Sequence, residues 1–266
     1  MHSLLFFVVR LLYLLYLSPI TQYLSPITHH LSPITIDQLN AMTPIKNQGK
    51  SQTCWIYAML AAIETEHIGR GDSVNLSAIY VERMLAEESS CPDSHRGTGA
   101  IALAMLSRYG VVPYDAVPSP ESHYPSPRHV FMLGAEYTPQ EFARSVCAPG
   151  EYATLTTNRR KPYYTEIAVD TEDNWMNLRY LNLPADSLLS LCQRAVRQHH
   201  GVCWESKSHA MAIVGLAHDN EGQQYFIMKN SWGTSGLYGG LTFLSNKDFL
   251  NKTLAVELPQ SLLNSN

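Results

Sequence analysis

The 266-residue chain has no excess of basic residues: 19 Lys and Arg stand against 23 Asp and Glu, a formal net charge of -4. That balance offers no electrostatic footprint for a phosphate backbone, so nucleic acid is excluded as the main partner. Charge of either sign is sparse, 16% of residues against 45% apolar, which excludes a mainly disordered chain. The 15 glycines and 15 prolines follow no period, which excludes a collagen or a coiled coil. Cysteine is scarce as well. Cys54, Cys91, Cys147, Cys192 and Cys203 are too few and too widely spaced for a disulfide framework, and they form no C-x-x-C pair for zinc or a redox turn. Long apolar runs are also lacking: LLFFVV at 4–9 and LLYLLYL at 11–17 are interrupted by Arg10, so no stable membrane span is expected.

Residues 1–36 read as a leader outside the fold. Its apolar start resembles a signal peptide but lacks a basic opening and a small-residue cleavage site. The compartment therefore stays open between export and the cytoplasm. Three heptapeptide copies follow, YLSPITQ, YLSPITH and HLSPITI, over 16–36. The Ser-Pro in each copy forbids a continuing helix and biases the chain to extended forms, and the copies are too short for a solenoid. His29 and His30 within them read as loop residues.

From residue 37 to 266 the composition is that of an ordinary domain. Ile56, Leu60, Ile63 and His67 recur at helical spacing after an N-cap candidate, Thr53, with glycines at 69 and 71 to stop the helix. Further helices are expected from about Leu76, from Ile101 to Gly110, and near 139–147. The last third changes character: 210–217, 224–229, 240–244 and 253–258 are short β-branched and aromatic runs between turn signals. Helices first and strands last predict an α+β body in two lobes, a helical one over about 37–150 and a β-rich one over about 151–260.

Cys54 falls in the first turn of the expected first helix, where unpaired backbone N–H groups and the helix dipole favour a thiolate. Gln48 lies six residues upstream in a glycine-flanked loop, His209 lies 155 residues downstream at a strand edge, and Asn230 follows in KNSWG. Cysteine, then histidine, then asparagine is the order used by thiol peptidases. With these residues in place, the motifs PIKNQGKSQTCWIYA, LSAIYVERML, RYGVVPYDAVPSPES, SHAM and FIMKNSWG resemble the papain superfamily, most closely its bleomycin hydrolase and aminopeptidase C branch, over nearly all of residues 43–258. The resemblance implies a papain-like two-lobed fold, with the nucleophile helix in the helical lobe and an antiparallel β-barrel-like C-terminal lobe. It also implies a peptide or protein substrate cleaved through a thioester, and no metal or organic cofactor.

In that reading Cys54 is the nucleophile and His209 the proton carrier. Asn230 orients the imidazole, and the Gln48 amide joins the Cys54 N–H in an oxyanion hole. Trp232 is read as a roof over the His–Asn bond or as core packing, and Gly97 as a cleft glycine that admits substrate backbone or as a plain loop glycine. Ser51 stands where secretory relatives carry a disulfide cysteine. Only Glu205 to Ser208 join the strand GVCW to His209, where the resembling branch inserts a long excursion, so a four-residue hairpin is required. The SLLNSN tail is a candidate for occupying the cleft, as the C-terminus does in that branch. His199 and His200 read as a solvated helix end, residues 170–173 (DTED) as an exposed loop, and Cys203 as a buried strand residue. Alternative functions are a catalytically impaired peptide-binding homologue and a different acyl transfer through the same thiol. The oligomeric state is not specified.

Overall fold

The computed structural model describes residues 33–121, 125–132 and 134–264. Most of the leader, residues 1–32, lies outside them. The chain joins the fold at β1 (Ile34–Leu39), three residues before the expected domain start, because the end of the last heptapeptide copy pairs antiparallel with a later strand.

The helices expected from periodicity form close to their predicted places. They are α1 (Cys54–Gly69), α2 (Ala78–Leu85), α3 (Gly99–Tyr109) and α4 (Pro139–Val146). Side chains cap three of them: Ser77 accepts from the Tyr80 N–H, Thr98 from the Ile101 N–H, and Thr138 forms a capping box with Glu141. Thr53 precedes α1 but does not cap it. Its hydroxyl is turned instead to Glu82 and to Ser51 Oγ at 2.6 Å.

The α1 helix is buried on every face from Trp55 to His67, which makes it the axis of the helical core rather than an amphipathic surface helix. Full burial leaves its polar residues to find partners inside. Glu64 Oε1 bonds Lys46 Nζ and the Leu76 N–H (2.7 Å), and Oε2 bonds Thr43 Oγ1 (2.5 Å), with Lys229 Nζ at 3.9 Å. Glu66 takes Arg70 Nη2 at 2.5 Å and His200 Nδ1 at 2.7 Å, so His200 is the partner of a buried carboxylate and not a solvated helix end. Burial opposes ionisation of Glu66, but the bonds from His200 and Arg70 hold its carboxyl below the usual value. The stability this contributes is fully present above about pH 4.5 and is lost as pH falls through the depressed value in the folded state. His200→Ala is therefore expected to cost about 2 kcal/mol near neutrality, with a smaller difference in acid. Urea unfolding at two pH values measures it.

The remaining elements are β2 (Val130–Met132), β3 (Ala135–Tyr137), β4 (Tyr152–Thr156), β5 (Thr165–Ala168), β6 (Arg179–Asn182), α5 (Ala185–Arg197), β7 (Val202–Glu205), β8 (Ala210–Asp219), β9 (Gln224–Lys229), β10 (Leu241–Ser245), α6 (Asn246–Lys252) and β11 (Ala255–Pro259). Apart from the β2–β3 hairpin they build one sheet in the order β10-β9-β8-β7-β11-β4-β6-β5. Its described pairs are antiparallel except β4 with β6. β8 is long enough to take β7 along its first half and β1 along its second, both on the edge opposite β9. A second core lies between this sheet and α5, with Leu188, Val196, Trp204, Phe226 and Val256 fully or almost fully buried. The two cores are the two lobes of an α+β fold. No described helix is long and apolar enough to cross a membrane.

The tail does not stay free. Leu262 is buried in the second core, and Arg194 donates to its carbonyl. Through Asn264 the C-terminus packs beside α5, and it contributes no wall to the cavity that holds Cys54.

Candidate active site

Cys54 opens α1, and His209 is the last residue before β8. The four-residue join is a tight hairpin in which the Ser206 N–H donates to the His209 carbonyl (2.9 Å) and the His209 N–H donates to Ser206 Oγ (3.1 Å). The short connection thus presents the histidine to the nucleophile without an excursion. Both side chains line one cavity of about 20 Å³, together with Trp55, Arg96, Gly97, Asp173, Glu205, Ser206 and Ala210.

Asn230 leaves the end of β9 and places Oδ1 2.8 Å from His209 Nε2. Since Oδ1 also accepts from the Ser231 N–H (2.8 Å), it acts as an acceptor, so Nε2 carries the hydrogen and Nδ1 is the nitrogen left for the thiol. Trp232 stacks on the imidazole with centroids 4.6 Å apart and planes 25° from parallel, while remaining 57% exposed. It is a cover on the histidine rather than part of the core. An aromatic face stabilises a cation over it by ~1 kcal/mol, so Trp232→Ala is expected to lower kcat/KM about fivefold, with little change in melting temperature. Steady-state kinetics beside thermal unfolding would check this.

Gln48 is fixed beside this group rather than in the cavity wall. Its N–H donates to the Ser231 carbonyl (2.8 Å), its Oε1 accepts from Ser231 Oγ (2.6 Å), and its Nε2 donates to the Ser51 carbonyl (2.7 Å). Each amide nitrogen carries two hydrogens, so one remains for a ligand. Gly97 lies against the Trp55 ring: a Cβ there would sit 2.8 Å from indole carbons. The close approach that requires glycine is therefore to Trp55, whose Nε1 donates to the His95 carbonyl at 3.0 Å. Ser51, in the place of the disulfide cysteine, bonds the Gln48 carbonyl (2.9 Å) and Glu82 (3.1 Å), and all five cysteines are free.

The ionisation of the pair differs from the sequence expectation. Burial is the largest influence on Cys54 and pushes the thiol up, Glu205 adding to it; the backbones of Ala210 and Trp55 and the Arg96 charge pull the other way. Burial likewise pushes His209 down, opposed by the Asn230 bond. Burial thus opposes the thiolate that a helix N-terminus favours.

Sequence reasoning missed several neighbours. Arg96 forms a two-pronged bond to Asp173 (2.8 and 2.7 Å) and donates to the Lys207 carbonyl (2.8 Å), tying the Gly97 loop to the hairpin tip beside the cavity. Asp173 is therefore not an exposed loop acid. Nothing in DTED signals this, because its partner lies 77 residues away.

Residues 33–252 match the family described as papain family cysteine protease, and the chain belongs to that family. Among its relatives, ananain of Ananas comosus is 26% identical over 211 residues, 75% of this chain and 51% of ananain. Papain of Carica papaya is 25% identical over 209 residues, covering 74% and 50%. The chain spans about half the length of such curated relatives. Among solved structures, PepW of Lactobacillus rhamnosis superimposes with a TM-score of 0.66 at 15% identity, covering 86% of this chain and 82% of PepW. Digestive procathepsin L 3 of Tenebrio molitor gives 0.52 at 19% identity, covering 83% and 67%. At such identities these likenesses speak for the fold, which is papain-like.

Proposed function

We propose that this chain is a cysteine peptidase that hydrolyses peptide bonds through a thioester on Cys54. The observation that carries the reading is the shared cavity of Cys54 and His209, with Asn230 fixing the imidazole by its far nitrogen. In the proposed reaction Cys54 Sγ forms a bond to the carbonyl carbon while its proton passes to His209 Nδ1. The carbonyl electrons move to oxygen, which receives the Cys54 N–H and the free hydrogen of the Gln48 amide. Collapse breaks the C–N bond, and His209 returns its proton to the departing amine. Water then attacks the thioester with His209 as base, releasing the acid and restoring the thiol.

The finer reading is removal of residues from free amino ends, which rests on the motifs shared with the bleomycin hydrolase and aminopeptidase C branch. A tail lying in the cleft does not supply that restriction through Asn264, so the block to longer substrates would come from the cavity rim, where Arg96 binds Asp173 and the hairpin tip. The full chain and its Cys54→Ala variant, given matched fluorogenic peptides with free and blocked amino termini, test both levels. Cleavage of free-amino substrates alone, abolished in the variant, is expected; equal cleavage of blocked peptides would leave the peptidase and remove the aminopeptidase, and no cleavage by folded wild type would remove both.

A further inference from the structure

One buried polar cluster has no part in the proposed peptidase steps. Cys203 and Glu205 stand two apart on β7 and share a face of the sheet, and Glu257 of β11 is the cross-strand partner of Cys203. All three are buried, at 0%, 3% and 0% exposure, and one donor atom from each lies within 4.8 Å of the others. The polar groups close to Glu257 are the Cys203 thiol, the Glu205 carboxyl and the Ala100 backbone, and no hydrogen bond of ordinary geometry reaches either of its oxygens among the described residues. Glu205 accepts the Gly99 N–H at the start of α3. No described salt bridge brings a lysine or arginine to either carboxylate.

The space around the cluster is also specific. A Cβ on Gly99 would come 2.3 Å from Glu257 Oε2 and 2.9 Å from Cys203 Sγ, so only glycine leaves room for the carboxylate and the sulfur together. Two carboxylates and a thiol placed in an apolar interior are costly when charged and uncompensated. Burial, with the Glu205 charge adding to it, drives Glu257 far above the usual carboxylate range, and burial pushes Glu205 up against the bonds from the Gly99 N–H and Glu257. A cation bound among the three would replace the protons they otherwise retain.

We propose that Cys203, Glu205 and Glu257 form a binding site for a thiophilic divalent cation, with zinc as the best match. Sulfur with two carboxylate oxygens is a donor set suited to zinc and poorly suited to magnesium or calcium, which prefer oxygen alone. Tetrahedral zinc with ordinary bond lengths needs donors about 3.4–3.6 Å apart, a spacing inside the 4.8 Å that bounds this cluster. The fourth position falls to water from the Cys54 cavity, which Glu205 also lines and whose 20 Å³ is room for about one molecule. Binding displaces protons from the thiol and the carboxyl pair, so affinity rises with pH.

The test uses the full chain carrying Cys54→Ala and His209→Ala, so that the peptidase pair cannot hold the metal and the result does not depend on peptidase activity. Zinc is titrated against a chromophoric chelator, and cobalt is used as a spectroscopic probe. Expected are one zinc per chain, tighter binding at pH 8 than at pH 6, a thiolate-to-cobalt charge-transfer band, and a rise in melting temperature with zinc but not magnesium. Adding Cys203→Ala should remove the band, and Glu257→Gln, similar in size to the native side chain, should weaken zinc at least about tenfold. Absence of stoichiometric zinc binding in the parent, or binding unchanged in a folded Glu257→Gln protein, overturns the site. If Glu257→Gln fails to fold, loss or persistence of the cobalt band in Cys203→Ala decides.

Discussion

His209→Ala is expected to lower kcat/KM toward a cleaved peptide by about 10⁴-fold, as much as loss of Cys54, because members of such a group act as a unit. The reason lies in the resting state: burial moves the thiol above its ordinary 9.0 and the imidazole below its ordinary 6.5, so the pair carries one proton over a wide range between the two. Without an imidazole to take the thiol proton, the sulfur is a poor nucleophile near neutrality. The sign of each shift sets the pH profile. Wild-type kcat/KM should be flat through neutrality, with an acid limb below 6.5 as His209 gains a second proton and an alkaline limb above 9.0 as the pair loses its only one. In His209→Ala the residual rate should lack the acid limb and climb with thiolate concentration. A residual rate within tenfold of wild type, or an acid limb that survives the substitution, would remove His209 from the mechanism.

Glu64→Gln should be the most damaging single change outside the site, at about 3–5 kcal/mol. The carboxylate is fully buried and serves Thr43, Lys46, the Leu76 N–H and Lys229 at once. Two lysines would be left in the interior facing a neutral amide. Burial already lowers Lys229 to about 8, against the pull of Glu64, so removing the acid lowers it further. A lysine depressed in the folded state and ordinary in the unfolded one makes stability rise with pH between its two values. The variant should therefore regain part of its loss as the buffer moves from pH 7 to pH 9, starting at a lower pH than wild type; denaturant unfolding across that range gives the answer, and a pH-independent deficit would contradict it. Activity should suffer with stability, because this carboxylate joins the 43–46 segment leading to Gln48 and the end of β9 leading to Asn230 to the helix that carries Cys54.

Much of this was readable along the chain. Short-range patterns gave α1 with Cys54 at its start, although the cap they offered, Thr53, turns to Glu82 instead, and the strands β8 to β11 follow the apolar runs of the last third. Motif order suggested Gln48, Cys54, His209 and Asn230 as one group, and the structure brings Cys54, His209 and Asn230 together with Gln48 anchored alongside through Ser231. These features depend on local conformational preference or on residue identity within a motif, and a sequence carries both directly.

What the sequence by itself determined, then, is where the first four helices and the last strands lie and which residue types are equipped for thiol chemistry; β1 to β6, α5 and α6 were not legible in it. Only the tertiary structure decided their condition. The thiol's ionisation follows from burial, which no position in a helix reveals; His200 acquires Glu66, and Arg96 acquires Asp173, across separations of 134 and 77 residues. Glu257 looks like an ordinary polar residue in TLAVELP, yet the pairing of β11 with β7 sets it against Cys203 in a dry interior. Dielectric, partner and access are properties of the assembled interior, created when distant segments close over a group, and a linear pattern holds no measure of them.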